Sequence, residues 1–270
     1  MKSILLALSL LLSSQFIQAQ EKMVLVTPGI SPDGKTIAFS FQGDIWTVSS
    51  TGGETTRLTI HPAYESMPRF SPDGKSIAFT SNRYGNDDVY VIPVEGGAPT
   101  RLTYHSTNDE FSSWKGNQEL VFSTARDFKQ IERNSEVYTV SVKGGTPQRT
   151  LDAFGFDPVY SPNGRFLAFV KGDINPLVRK DYTGSSNREI WTFDTKNKNF
   201  TKLNLFSAND AYPNWVNDNT IFFMSSEAGN YNVYSVGIDG NGKQVGTPSK
   251  ITSLSSEEQV MRSYYISYDG

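Results

Sequence analysis

The sequence predicts an all-β chain, a β-propeller of four-stranded blades with five complete blades and the start of a sixth. Two observations carry this. SPDGKTIAFS (31–40) recurs almost unchanged as SPDGKSIAFT (71–80). Behind each copy the same short strand-like elements follow in the same order, and a period of 40 to 50 residues with four strands per period is the mark of a propeller.

The first element of the cycle is the turn and the strand behind it. It drifts but persists as WKGNQELVFS (114–123), SPNGRFLAFV (161–170) and WVNDNTIFFMS (215–225), and SYDG (267–270) opens another copy. The anchoring aromatics Phe39, Phe79, Phe122, Phe169 and Phe223 are 40, 43, 47 and 54 residues apart. In SPDG, proline pre-sets the second turn position, aspartate accepts a nearby backbone hydrogen bond, and glycine takes the positive φ that ends the turn. The apolar run behind it need not alternate if both faces of the blade are covered. Every residue of the repeated ten thus has a structural task.

The second element reads DIWTV (44–48), DVYVIPV (88–94), EVYTVSV (136–142), EIWTF (189–193) and NVYSV (232–236). It is rich in β-branched and aromatic residues and alternates, as a strand does. Paired glycines (52–53, 96–97, 144–145) then supply a hairpin turn. The third element is TRLT (56–59, 100–103), QRTL (148–151), TKLN (201–204) and SKIT (249–252). The fourth precedes the next motif: MPRF (67–70), DPVY (157–160) and YPNW (212–215). Innermost strands are expected to start near Val24, Met67, Asp109, Phe156, Tyr212 and Ser263. A single blade cannot bury its own apolar faces, and its neighbours around the axis must do so.

The N-terminus reads as a secretory signal over 1–19. Lys2 precedes the apolar run ILLALSLLL (4–12), and Ile17 and Ala19 suit cleavage before Gln20. Nine residues are too few to span a bilayer, so the expectation is removal, export to a periplasmic or extracellular space, and a propeller over 20–270. The chain of 270 residues has no cysteine, so packing rather than disulfides must hold it together. A net charge of −3 gives no basic footprint for nucleic acid.

Chemistry is sparse. The two histidines, His61 and His105, follow the third element at equivalent places, which favours a structural role over a metal site. There is no phosphate loop and no nucleophile elbow, and no catalytic, metal or cofactor residue is expected within this chain. Two groups of residues are candidates. Glu65, Asp109, Glu110, Asp157 and Asp210 sit where loops enter the innermost strands, and could form an acidic rim that attracts positively charged peptide ends; they also suit ordinary turn and capping positions. The polar link VKGDINPLVRKDYTGSSNREIW (170–191) carries Arg179, Lys180 and Arg188 and is long enough to be functional or a tolerated insertion.

The cycle SPDGK-IAF, DIW/VYV, GG-PTRLT resembles the propellers of tricorn proteases and of Tol-type periplasmic proteins. The stretches TPGISPDGKTIAFSFQGDIWTV, RKDYTGSSNREIW and YPNWVNDNTIFFMSSEAGNYNVYSV are more similar to the tricorn group. That resemblance implies a six-bladed propeller followed by a seven-bladed one, a PDZ-like module and a serine peptidase core. It implies that the propeller gates peptides or unfolded polypeptide on the way to catalytic domains absent here, with those C-terminal domains as its partners and homo-oligomerisation of the parent an open matter. No residue of this chain matches the family's catalytic motifs. The family's arginine pair for a substrate carboxylate has no counterpart in STNDEF (106–111). The chain is therefore expected to be a fragment with an unclosed ring. From the residues alone, a non-enzymatic Tol-type binding propeller, or an enzyme with its site in the propeller channel, stays open.

Overall fold

The computed structural model describes residues 26–126, 135–172 and 184–254. The signal expected at 1–19, the basic residues Arg179 and Lys180, and the sixth-blade start at Ser263 with SYDG (267–270) lie outside these residues. Within them, five four-stranded antiparallel sheets follow one another along the chain, each with its strands in sequence order.

Blade one is β1 (Val26–Ile30), β2 (Thr36–Phe41), β3 (Asp44–Ser49) and β4 (Thr56–Arg57). Blade two is β5 (Glu65–Phe70), β6 (Ser76–Ser81), β7 (Asp88–Pro93) and β8 (Thr100–Arg101). Blade three is β9 (Asp109–Lys115), β10 (Glu119–Thr124), β11 (Glu136–Ser141) and β12 (Gln148–Phe154). Blade four is β13 (Phe156–Tyr160), β14 (Phe166–Lys171), β15 (Glu189–Asp194) and β16 (Phe200–Lys202). Blade five is β17 (Asp210–Asn217), β18 (Thr220–Ser225), β19 (Asn232–Ile238) and β20 (Gln244–Lys250). The first strands pack in succession, β1 on β5, β5 on β9, β9 on β13 and β13 on β17, so they surround the axis.

The repeated IAF explains how the blades stack. Ala38 and Ile45 of blade one pack with Phe79, Ile77 and Tyr90 of blade two. Ala78 and Val89 of blade two pack with Phe122 and Leu120 of blade three. Val121 and Val137 meet Phe169 and Leu167, and Ala168 and Ile190 meet Phe223 and Ile221. In blades two to four the middle residue (Ala78, Val121, Ala168) faces the next blade, and its two neighbours, Ile or Leu before it and Phe after it, face the previous one. Successive residues of a strand point to opposite faces, so one short motif serves two interfaces.

The turn is built as the sequence predicts. Ser31 Oγ donates to Asp33 Oδ1 (2.7 Å), which also accepts the Lys35 amide (3.1 Å), and Gly34 N–H donates to the Ser31 carbonyl (2.9 Å) at φ +70°. Ser71, Asp73 and Gly74 repeat this, and Ser161, Asn163 and Gly164 repeat it with a neutral amide. The Ser31 and Ser71 hydroxyls hold the Asp33 and Asp73 carboxyls below the usual carboxylate range.

The third and fourth strands are held by a recurring polar bracket. Asp44 pairs with Arg57, Asp88 with Arg101 (2.7 Å), Glu136 with Arg149 (3.4 Å) and Glu189 with Lys202 (2.6 Å). In blade five the opening residue is the neutral Asn232, whose Oδ1 accepts from Thr252 Oγ1 (3.1 Å) as Asp88 Oδ1 does from Thr103 Oγ1 (3.3 Å) in blade two. This is why D/E/N opens the second repeated element and R/K sits in the third.

Candidate functional site

The strands around the axis share a feature that the repeat does not announce. Thr27, Met67, Asp157 and Tyr212 have φ values of 51°, 56°, 49° and 53°, in the left-handed region. Each stands just before a proline: Pro28, Pro68, Pro158 and Pro213. Pairing with the second strand jumps at each, from Val26 to Gly29, Ser66 to Arg69, Phe156 to Val159 and Ala211 to Asn214. These are β-bulges, which bend a strand and re-aim its side chains. Left-handed backbone at a non-glycine residue is strained, and such strain persists only where the surroundings enforce it. Blade three has Phe111-Ser112 in place of X-Pro and is bulged at the same place, between Phe111 and Ser113.

Interblade ties fix the bulges. Thr27 Oγ1 accepts the Met67 amide (3.1 Å), and Arg69 Nη1 donates to the carbonyls of Pro68 (2.9 Å), Pro28 (3.2 Å) and Thr27 (3.4 Å). Ser113 Oγ donates to the Pro158 carbonyl (2.7 Å). Trp114 Nε1 and Trp215 Nε1 donate to the carbonyls of Arg69 (3.0 Å) and Val159 (3.2 Å) on the preceding blades.

The five acids singled out from the sequence fall into two sets. Glu65, Asp109 and Asp210 each open an innermost strand, opposite Ser81, Thr124 and Ser225, and all three are buried. Arg83 Nε donates to Glu65 at 2.8 Å and Arg126 Nε to Asp109 at 3.0 Å. Glu110 and Asp157 lie one and two positions further in. Glu110 is exposed, yet its carboxyl is pushed up by lost hydration and then by the Asp87 and Asp157 charges. Asp157 is half-buried at its bulge. Burial pushes its carboxyl up while Arg188 and Arg69 pull it down.

Arg188, from the long link in blade four, reaches Asp157 with Nη1 to Oδ2 at 3.3 Å. Asp157 and Arg188 are also close enough to act on the Tyr212 hydroxyl, which burial pushes up. The structure thus brings Asp157, Arg69 and Tyr212 of the innermost strands into one cluster with Arg188 of the blade-four link, with Glu110 and Asp87 adjoining. Mixed charge with a tyrosine hydroxyl suits polar contacts to a peptide backbone or its charged groups. Arg69, Asp87 and Tyr212 were not singled out from sequence; the repeated X-Pro dipeptide was the available signal for two of their positions.

The histidines stand in the loops entering blades two and three, where His61 Nδ1 accepts the Ala63 amide (3.0 Å) and His105 Nδ1 the Thr107 amide (3.1 Å). Among the described residues no group of three or more His, Cys, Asp or Glu is arranged to hold a metal, and no helix is long and apolar enough to cross a membrane.

Five stacked four-stranded blades with bulged innermost strands define a β-propeller domain. Residues 22–261 match the tricorn protease N-terminal β-propeller domain, and the chain belongs to that family. It is 30% identical over 221 residues to tricorn protease homolog 1 of Streptomyces coelicolor, covering 80% of this chain and 20% of that protein. It is 27% identical over 212 residues to a tricorn protease homolog of Saccharolobus solfataricus, covering 77% of this chain and 19% of that one. The chain thus spans about one fifth of the length of these curated relatives. Among solved structures, that of the tricorn protease superposes with a TM-score of 0.72 at 21% identity, covering 86% of this chain and 23% of that one. A TolB protein of Agrobacterium tumefaciens gives 0.67 at 19% identity, covering 84% and 80%, a likeness of fold.

Proposed function

We propose that this chain is the N-terminal propeller of an exported serine-type peptidase, where it acts as gate and scaffold for peptides moving to and from catalytic domains further along the same polypeptide. The observation that carries this reading is the family match over 22–261 in a chain that spans about one fifth of its relatives. Those relatives are tricorn protease homologues, and most of their length is left for other tasks. The axial cluster supports the gating part. Asp157, Arg188, Arg69 and Tyr212 offer both charges and a hydroxyl where a peptide would pass. Export rests on the N-terminal apolar run with its Lys2 and Ala19 flanks. Peptides or unfolded polypeptide, and the protein's own C-terminal domains, are the partners in this account.

The test is a serine-reactive fluorophosphonate probe applied to the intact protein, with peptide hydrolysis followed in parallel. The reading expects one modified serine outside residues 26–254 and loss of hydrolysis on modification. Absence of both labelling and hydrolysis would overturn it and leave a binding propeller of the Tol type.

A further inference from the structure

Asp210 occupies the same place as Glu65 and Asp109, but its surroundings have been rebuilt. In blades two and three an arginine stands two residues beyond the strand partner of the acid. Arg83 and Arg126 neutralise the carboxylates and lie over aromatic rings, Arg83 over Tyr90 at 5.4 Å and Arg126 over Phe122 and Tyr138 at 5.2 and 5.5 Å. In blade five the same position, two residues beyond Ser225, is Glu227. The corresponding rings, Phe223 and Tyr234, are covered by Phe206 instead, at centroid distances of 6.1 and 4.9 Å. Phe206 lies four residues before the acid, where the other two loops have His61 and His105. An apolar ring has replaced the cation.

Among the described residues the carboxyl has no positive partner. Asp210 is 3% exposed, its Oδ2 accepts the Phe206 amide at 3.3 Å, and its Oδ1 is buried with no hydrogen-bond partner. Among the described residues, each element packed around it presents an acid, a weak acid or a neutral group. The β18–β19 loop brings Glu227 and Tyr231, and β19 brings Tyr234. β18 contributes the Ser225 hydroxyl, and β15 brings Glu189, whose charge is already met by Lys202 on β16. Arg188 gives Asp210 only its backbone carbonyl (3.0 Å), while its guanidinium reaches Asp157. A buried carboxylate with no cation is far costlier than a buried carboxylic acid. Burial accordingly pushes the Asp210 carboxyl up to about 7.

The loop that Asp210 secures is tied to the axial cluster. Asn209 Oδ1 accepts the Arg188 amide (3.1 Å), and Asn187 Nδ2 donates to the Ser207 carbonyl (3.1 Å). We propose that Asp210 is a proton-operated latch: neutral, it lets the loop 203–210 pack with Phe206 on blade five; ionised, it releases that loop and loosens the hold on Arg188 at the axis. The latch rests on the packing around Asp210 and stands or falls apart from the gating role.

Hydrogen–deuterium exchange of the intact protein tests it, read on peptides covering 203–210 at pH 6 and pH 8.5 and corrected for intrinsic exchange rates. A carboxyl titrating near 7 when closed and near its ordinary value of about 3.9 when open makes opening roughly tenfold more favourable at pH 8.5 than at pH 6. Protection of 203–210 should fall by that order, and Asp210→Asn should remove the pH dependence. Equal protection at both pH values, or a pH dependence retained in Asp210→Asn, overturns the latch. Glu227→Gln provides an independent arm that leaves the packing of Phe206 in place. Removing the neighbouring negative charge should move the midpoint of the protection loss to lower pH, and an unmoved midpoint also overturns the proposal.

Discussion

Replacing Arg126 by Met tests how the buried ends of the innermost strands are held. Asp109 is fully buried, the Arg126 side chain is 11% exposed, and the guanidinium donates through Nε and Nη2 to the two carboxylate oxygens. Methionine keeps much of the apolar contact with Phe122 and Tyr138 but strips the carboxylate of its partner. Removing one member of a buried pair costs about 3–5 kcal/mol, because the remaining charge is uncompensated. Taking both away in Asp109→Asn with Arg126→Met should recover a large part of that loss, since a neutral amide needs no counter-charge. The assay is urea denaturation followed by tryptophan fluorescence, comparing midpoints at constant m. A single variant within about 1 kcal/mol of the parent, or a double variant no better than the single, would refute the view that this pair balances a buried charge.

Three other outcomes follow from the same structure. Phe79→Ala empties a fully buried site between blades one and two and should cost about 3–5 kcal/mol in the same denaturation assay; a loss under about 1 kcal/mol would contradict the interblade packing. Gly34 has φ +70° in open space, so Gly34→Ala should cost only about 1–2 kcal/mol of backbone strain. At Gly29 an added Cβ would lie 2.4 Å from the Pro68 carbonyl oxygen, so Gly29→Ala should cost more than Gly34→Ala, and the reverse order of midpoints would refute the close approach of β1 to β5. The carboxyls predict a stability curve with two limbs. Asp33, Asp73 and Asp239 are held below the ordinary carboxylate value, so their contribution is present above that value and lost as pH falls through the folded one. Asp210 is held above it, so its contribution is complete below pH about 4 and is lost as pH rises through about 7. Asp73→Asn should flatten the acid limb alone and Asp210→Asn the neutral limb alone, read as denaturation midpoints between pH 3 and 8.5 in steps.

The repeat was legible because each of its residues answers to a local rule. SPDG needs a glycine at positive φ, and IAF needs two covered faces, so Ser31, Gly34, Ala38 and Phe39 could be placed from the sequence. The Asp44–Arg57 type of bracket was visible as recurring letters but not as a bond, because the residues meet only when β3 and β4 pair. The candidate acids looked alike in sequence because each stands near the start of an innermost strand. The register separates Glu65, Asp109 and Asp210 from Glu110 and Asp157 by one or two places, and each step along a strand reverses the face presented. The bulges escaped because a residue before proline ordinarily avoids helical backbone. Thr27, Met67, Asp157 and Tyr212 nevertheless adopt the left-handed region, and bonds between neighbouring blades tie the bulges at Thr27, Met67 and Asp157. The bulges also explain why β5 and β17 begin at Glu65 and Asp210, two residues before the starts expected from the alternating pattern. Asp210 could have been singled out by a broken correspondence: SNR (81–83) keeps its arginine, and SSE (225–227) does not.

The gating account is tested most directly by placing a block on the axis. No cysteine occurs among these 270 residues, so Met67→Cys adds one thiol on an innermost strand, and the parent protein treated with the same reagent controls for any thiol elsewhere in the polypeptide. It can be coupled in the intact protein to a bulky maleimide–polyethylene glycol. Hydrolysis of a long unfolded polypeptide and of a short fluorogenic peptide is then compared before and after coupling. The account predicts that coupling slows the long substrate several-fold more than the short one, and that the uncoupled variant behaves as the parent. Equal hydrolysis of the long substrate before and after coupling would contradict passage along this axis.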